Sequence, residues 1–339
     1  MVSETSSEIE VADHAALVKA PLISVHMITY NHEPYLADAI EGVIRQQTEY
    51  PFELLIGEDC STDKTRAIAL AFQRRHPDRI AVLYSGSNVG ALANSKRVFL
   101  KERGKYVAYC EGDDYWHDPS KLQKQVSFLE AHPDHVLVHS ALRVQTGQAI
   151  KPRWTILERI PTGRVFEELL QGNFIATCTV CIRRSVMADY FASGITRNGY
   201  LMDDYPRWLF ASQQGLVGYI DEPLATYRRT PGSLTGRTPD AELRMEISAR
   251  KVRMDFADRY GGSAEVLAAA LSKSNRRVLN MAADLADRTT FLEEYRWYRM
   301  NNPDWRKDHR MLVRFLLFKL RLFRAARNWR RLVPVLKGP

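Results

Sequence analysis

Tyr106-Val107-Ala108-Tyr109-Cys110-Glu111-Gly112-Asp113-Asp114-Tyr115-Trp116 decides the fold. Five largely apolar residues, the length of a short buried strand, break abruptly into three carboxylates within four positions. In open α/β sheets, ligands bind at the carboxyl ends of strands. Carboxylates this close repel one another unless a cation or a set of donors offsets them. A hard divalent ion, Mg2+ or Mn2+, meets that need, held by one or two carboxylates and by substrate phosphates. Gly112 allows the backbone a conformation that brings the next two carboxylates close to a ligand. The same residues also read as a solvated acidic turn before a helix, with Asp118 as N-cap and Pro119 at the first helical position.

Upstream, three more apolar runs, Leu22–Ile28, Phe52–Gly57 and Ile80–Tyr84, precede helical segments at 34–46, 65–76 and 92–103. Tyr106–Cys110 completes a fourfold strand–helix alternation, which predicts a mostly parallel sheet with helices on both faces. Residues 1–20 read as a flexible lead. Neither G-x-G-x-x-G nor G-x-x-x-x-G-K-[ST] occurs, which excludes a dinucleotide fingerprint and a P-loop. Polar residues gather at the strand ends instead. A nucleotide would be held there by side chains such as Thr29, Tyr30, Asp59 and Asn94.

Four motifs in order, Ile28-Thr29-Tyr30-Asn31, Gly57-Glu58-Asp59-Cys60-Ser61-Thr62-Asp63, Asn88-Val89-Gly90 with Asn94, and Glu111-Gly112-Asp113-Asp114-Tyr115-Trp116, resemble family 2 glycosyltransferases of the GT-A fold. The resemblance is close over 21–142 and looser to about Thr235. It implies a Rossmann-like α/β domain at 21–235, with a nucleotide-binding half (21–142) and an acceptor half (143–235), followed by a helical region at 236–339. It also implies an inverting, metal-dependent transfer of a sugar from a nucleotide-sugar, UDP-linked, to a saccharide or lipid-linked acceptor in cell-surface polysaccharide assembly. Thr29, Tyr30, Asn31 and Asp59 then match the base and ribose contacts, with Asn88, Gly90 and Asn94 flanking them. Glu58 stands where relatives carry the first Asp of a pair. Asp113 would meet the ribose and the metal, and Asp114 would ligate Mn2+ or Mg2+. Glu111 occupies the position of the first Asp of the motif in many relatives, and its role stays open.

Further on, Gly172–Arg184 reads as a loop and an apolar strand at the sheet edge, Cys178–Ile182. Leu201-Met202-Asp203-Asp204 then heads a helix over 207–214. The family places its general base at such an acid; Asp204 matches, and Asp203 is the alternative. Neighbours at a helix start point about 100° apart, so one of the two faces the acceptor. The other reading is that both acids only complement the helix dipole. Leu224–Tyr227 is a short strand, after which Arg228 matches a basic residue near the diphosphate in relatives. Pro231-Gly232 suggests a hinged lid.

Composition narrows the alternatives. The chain has 339 residues, 45% of them apolar, enough for one large core and a second small one. No apolar run spans a membrane, and Met1–Lys19 lacks a signal-peptide pattern, so a cytoplasmic location is expected. Four cysteines agree with a reducing compartment. Cys178-x-x-Cys181 lies in an apolar run without a second ligand pair, which disfavours zinc. His132, His135 and His139 are interrupted by Pro133 and read as surface and strand positions. Much of the net charge of +8 belongs to a tail, since 306–337 holds eleven Lys/Arg and one acid. That concentration argues against a nucleic-acid partner for the core. Within the tail, Arg310, Arg314, Arg321, Arg324, Asn328 and Arg331 share one helical face, opposite Phe315, Leu316, Phe318, Leu322, Phe323 and Trp329. Such a helix at 310–331 reads as an interfacial anchor on an anionic membrane, at the inner face of the cell membrane. A terminal helix packed on the protein itself is the other reading. At the level of the whole chain, the alternative to an enzyme is an inactive GT-A relative serving as a nucleotide- or saccharide-binding scaffold. A nucleotidyltransferase would want a glycine-rich loop and a lysine after the first strand, and neither is present.

Overall fold

The computed structural model describes residues 8–152, 159–230, 238–301 and 305–320. Its strands and helices begin with β1 (Ile9–Val11), β2 (Ile23–Thr29), α1 (Leu36–Ile44), β3 (Phe52–Glu58), α2 (Thr65–Arg75) and β4 (Ile80–Tyr84). There follow α3 (Ala91–Lys101), β5 (Tyr106–Tyr109), β6 (Tyr115–Trp116), α4 (Lys121–Ala131), β7 (His135–Thr146) and β8 (Ala149–Pro152). Next come α5 (Phe166–Gln171), β9 (Cys181–Arg183), α6 (Arg184–Ala192), α7 (Asp204–Gln214) and β10 (Leu216–Arg228). Four helices close the described chain: α8 (Pro239–Tyr260), α9 (Ala264–Leu285), α10 (Arg288–Asn301) and α11 (His309–Lys319).

All ten described strands join one sheet, ordered β1-β4-β3-β2-β5-β9-β7-β10-β6 with β8 on β7. β4, β3, β2 and β5 run parallel, as the alternation predicts. Each is buried on both faces, so these strands read as near-continuous apolar runs. The period of two still sorts their side chains. Ile23, Val25, Met27, Leu54, Ile56 and Val82 pack with α1, α2 and α4. Leu55, Ala81 and Leu83 form a separate cluster with Val98 of α3. His26 and Ser24 occupy alternate positions of β2 and carry buried polar groups, engaged by Ser95 and by residues 102–104.

Several elements differ from the sequence reading. The lead at 1–20 was expected to be flexible; within it, Ile9–Val11 adds an antiparallel edge strand to β4, and Leu17 is buried. Asp118 does not cap α4. The helix starts later, and the Asp118 carboxylate accepts the Ser120 amide at 2.7 Å and hydroxyl at 2.6 Å in a turn before it. The strand expected over Cys178–Ile182 divides into a single turn at Thr177–Thr179 and β9. β9 lies antiparallel between β5 and β7, in the sheet interior rather than at its edge. β10 extends far upstream of Leu224 because Leu216–Ile220 pairs in parallel with β7. Its register shifts on either side of Pro223, which has no N–H for a ladder.

The described chain divides into two compact units. The sheet unit comprises 8–152, 159–169, 173–199 and 203–230; the second comprises 170–172, 200–202, 238–301 and 305–320. In the second unit, Leu243, Val278, Leu279, Phe291, Tyr295 and Phe318 share a core. Inside it Arg250 meets Glu294 through two hydrogen bonds of 2.5 Å, and Asn275 Nδ2 donates to the same carboxylate at 2.6 Å. The amphipathic face foreseen at 310–331 is described only as far as Leu320. Phe315 stacks on Tyr295 and Phe318 on Phe291, each at 4.3 Å, so this part of the apolar face packs on the protein. Arg314, assigned to the basic outer face, is buried and donates to Asn280 Oδ1. Leu316 and Leu320 remain exposed. None of the described helices is long and apolar enough to cross a membrane.

Candidate active site

The carboxylate turn follows β5 along the end of β2. The Cys110 amide donates to His26 O and the Gly112 amide to Ile28 O, both at 3.0 Å. Glycine is required at 112 by close approach and not by φ, which is not positive there. A Cβ at 112 would lie 2.6 Å from Thr29 Oγ1 and 2.9 Å from His32 Nδ1. Neither of those atoms has a hydrogen-bond partner among the described residues.

Asp114 is 1% exposed. Its Oδ1 accepts the Arg228 amide at 2.8 Å, whereas the buried Oδ2 has no hydrogen-bond partner among the described residues. Burial, then Asp113 and Glu111, hold its carboxyl well above the usual range, against the opposing pull of the Arg228 amide and the Cys178 thiol. Asp113 is partly exposed, 4.0 Å from His32 Nε2. Burial lowers the basicity of that imidazole despite Asp113 and Asp63. Glu111 is pushed up to about 8 by burial, Asp113 and Asp204, so the acids of α7 act on it as well as its own turn.

Those acids have different surroundings. Asp203, at the N-cap of α7, contacts the Arg207 guanidinium one turn on and accepts from the Tyr190 hydroxyl at 3.3 Å. Asp204 accepts from Asn173 Nδ2 at 3.0 Å. Burial raises the carboxyl of both. Asp203 is thus ion-paired, whereas Asp204 has an amide partner and the Glu111 carboxyl nearby. Asn173 was not singled out in the sequence; it lies 31 residues before Asp204 and nothing local marks it.

At the end of β3, the Asp59 carboxylate accepts the Val89 and Gly90 amides at 2.8 and 2.9 Å, and Asn88 Nδ2 donates to Asp59 O at 3.0 Å. Asp59, Asn88 and Gly90 therefore form one clasp, and Gly90 with φ +84° starts α3. Asn31 bridges two loops: its amide donates to Ser61 Oγ at 3.0 Å and its Oδ1 accepts the Thr62 amide at 2.8 Å. Asn94 is 1% exposed, with Nδ2 on Gly57 O at 2.8 Å and Oδ1 accepting from Arg97 at 2.9 Å. It supports the end of β3 and does not line an opening. Glu58 accepts from the Ser61 amide and Arg66, a supporting role as well. Tyr30 is 43% exposed beside these loops.

The Arg228 side chain pairs with Asp38 Oδ2 of α1 at 2.6 Å and lies 4.3 Å over the Tyr115 ring; the residue's backbone amide is the part that meets Asp114. The lid foreseen at Pro231-Gly232 lies outside the described residues. Cys110, Cys178 and Cys181 are buried, and burial raises all three thiols, which disfavours thiolate ligation. His132 stacks on Phe128 and His135 meets the same ring edge-on, while burial drives His139 down to about 3.

The residues at the carboxylate turn fit a divalent cation. They supply a desolvated carboxylate oxygen without a hydrogen-bond partner among the described residues, two more carboxyls raising its protonation, and a neighbouring hydroxyl. No group of three or more ligating side chains is assembled among the described residues. The turn therefore suits an ion that takes one or two carboxylates and completes its shell from substrate oxygens.

Residues 24–191 match the family model described as Glycosyl transferase family 2, and the chain belongs to that family. TuaG of Bacillus subtilis, named for teichuronic acid biosynthesis, is 29% identical over 63% of this chain and 82% of its own. The chain spans 58% of the length of the mycobacterial relatives that it matches at 33% identity. Staphylococcus aureus TarS 1–349, solved with UDP-GlcNAc, superposes at a TM-score of 0.52 and 15% identity, covering 84% of this chain and 91% of that one. The mannosyltransferase PcManGT of Pyrobaculum calidifontis, solved with GDP-Man and Mn2+, gives 0.52 and 15%, covering 84% of both chains. The fold is thus the GT-A fold, a mostly parallel α/β sheet.

Proposed function

We propose that this chain is an inverting, metal-dependent glycosyltransferase acting on a nucleoside diphosphate sugar, UDP-linked, with a saccharide or lipid-linked acceptor of cell-surface polysaccharide assembly. The observation that carries the reading is the orphaned, buried oxygen of Asp114 beside Asp113 and Glu111, with Asp204 within electrostatic reach of Glu111. Family membership and the ligands of TarS and PcManGT support the donor class, and TuaG supports the setting.

Asp114 and Asp113 would hold the Mn2+ or Mg2+, whose bound charge stabilises the departing diphosphate. Thr29, Tyr30 and the Asp59–Asn88–Gly90 clasp would receive base and ribose. Asp204 takes the proton of the acceptor hydroxyl as that oxygen bonds to the anomeric carbon, and the bond to the β-phosphate breaks on the opposite face. Asp203, paired with Arg207, is less suited to accept a proton. Calorimetry with UDP, GDP, CDP and dTDP sugars, each with Mn2+ and with chelator, tests the reading. Binding of one nucleotide class that depends on metal is the expected result. Absence of binding by the folded protein would overturn it and favour a scaffold.

We also infer a peripheral position on the cytoplasmic face of a membrane. The basic, aromatic-rich sequence 321–331 supports it, as do Leu316 and Leu320, exposed where the described part of α11 ends. Ending the chain at Leu320 should abolish sedimentation with anionic vesicles while leaving the thermal transition of the sheet unit in place. Undiminished binding would refute the anchor.

A further inference from the structure

Behind the α7 acids lies a buried polar chain that the proposed mechanism does not use. Glu102 Oε1 is 2.6 Å from His26 Nδ1, and His26 Nε2 is 2.9 Å from Ser95 Oγ. Arg207 Nη2 donates to Ser95 Oγ at 2.7 Å and contacts Asp203 Oδ2. All four residues before Asp203 are at most 4% exposed. We propose that His26, held by Glu102, is a positioning residue: through Ser95 and Arg207 it fixes Asp203 and leaves Asp204 to meet the acceptor. The inference rests on the glycosyltransferase reading above.

The donor inventory sets the direction of the chain. Arginine has no acceptor, so Ser95 Oγ accepts from Arg207; in the proposed relay the Ser95 proton points to His26 Nε2. The relay places the His26 proton on Nδ1, where it is donated to Glu102. Serine, histidine and glutamate at these distances also have the geometry of a nucleophilic triad. Ser95 is 1% exposed and its Oγ is enclosed by Arg207 and His26, so no substrate carbon can approach it.

A role in packing alone accounts poorly for this network. Leu55, Ala81, Leu83 and Val98 form an apolar cluster that α3 shares, and buried ion pairs gain little over well-packed apolar groups. The network is also incompletely satisfied. Glu102 Oε2 and Arg207 Nε have no hydrogen-bond partner among the described residues. It does deliver one outcome: the guanidinium, flanked by the Tyr109 and Phe191 rings at 5.5 and 5.6 Å, is held against the acid next to the candidate base. Without the Ser95 anchor, Arg207 can shift toward Asp204 or Glu111, and the two α7 acids exchange roles.

The test uses the full chain and Ser95→Ala, His26→Phe and His26→Gln. Ser95→Ala and His26→Phe are each expected to lower kcat about 100-fold, the scale of an ångström's misplacement, with unchanged calorimetric affinity for the donor. His26→Gln, which can still accept from Ser95, should recover most of the rate. In an Asp204→Asn background, Ser95→Ala should cause no further loss. Nitrogen-15 NMR of the wild type should give the Nδ1–H tautomer for His26, identified by its loss in His26→Gln. Equal losses of donor affinity and kcat, an additional loss in the Asp204→Asn background, or an Nε2–H tautomer would each overturn the proposal. A wild type without turnover on any nucleotide-sugar overturns the function it rests on, whereas an active wild type matched by Ser95→Ala overturns the relay alone.

Discussion

Asp204→Asn is expected to lower sugar transfer by about 1,000-fold while leaving the donor affinity unchanged, within the range that a general base contributes. The substitution changes little else. Asparagine has the same shape, and its carbonyl can still accept from Asn173 Nδ2. It cannot take a proton. Because burial raises the Asp204 carboxyl, the wild-type rate should fall as pH drops through that raised value, and Asp204→Asn should erase this limb of the profile. Asp203→Asn should act differently, loosening Arg207 and altering kcat without removing the limb. Steady-state kinetics and calorimetry on both variants decide the matter. An active Asp204→Asn protein would move the base to Asp203 or Glu111.

Asp114→Asn should uncouple nucleotide affinity from metal and make the metal-free protein more stable at neutral pH. Asparagine keeps the acceptor for the Arg228 amide and removes a charge that burial, Asp113 and Glu111 all oppose. The sign follows from linkage. Glu111 goes from an ordinary value of 4.5 to about 8, and Asp114 is raised as well, so their contribution is complete below the ordinary carboxylate range. It is lost as pH rises toward the folded values, because the unfolded chain ionises first. Without metal, the melting temperature should therefore decline between about pH 5 and pH 8. Mn2+ should reverse the decline in the wild type and not in Asp114→Asn. Each kcal/mol relieved corresponds to roughly 2–4 °C for a domain of this size. A metal-induced rise that survives in Asp114→Asn would remove Asp114 from the site.

The parallel half of the sheet was legible because its signals are local. Each of β2, β3, β4 and β5 is an apolar run closed by a polar cluster, and each of the first three is followed by a helix of matching period. The placement of Asp113, Asp114, Asp203 and Asp204 at element boundaries was legible for the same reason. What escaped depends on distant pairing. Ile9–Val11 is a strand because β4 offers an edge, and β9 is interior because β5 and β7 flank it. Asn94 and Arg228 were both read as facing ligand. Arg97 and Gly57 claim the first, and Asp38 the second, from 3 to 190 residues away. His26, Ser95 and Arg207 look like ordinary strand and helix residues one at a time. Their partnership spans 69 and 112 positions, which no periodicity reports.

The Arg228 amide that holds Asp114 also sets a timetable. The two are 114 residues apart, so the orientation of this carboxylate is a high-contact-order event that must wait for β10 to dock beside β6 and β7. A chain emerging from the ribosome could complete β2 to β5 long before residue 228 is available. A fragment ending near Leu142 would then carry every residue of the turn and still lack its geometry. The last strand of the sheet unit acts as a checkpoint: until it arrives, the acids are present without being a site.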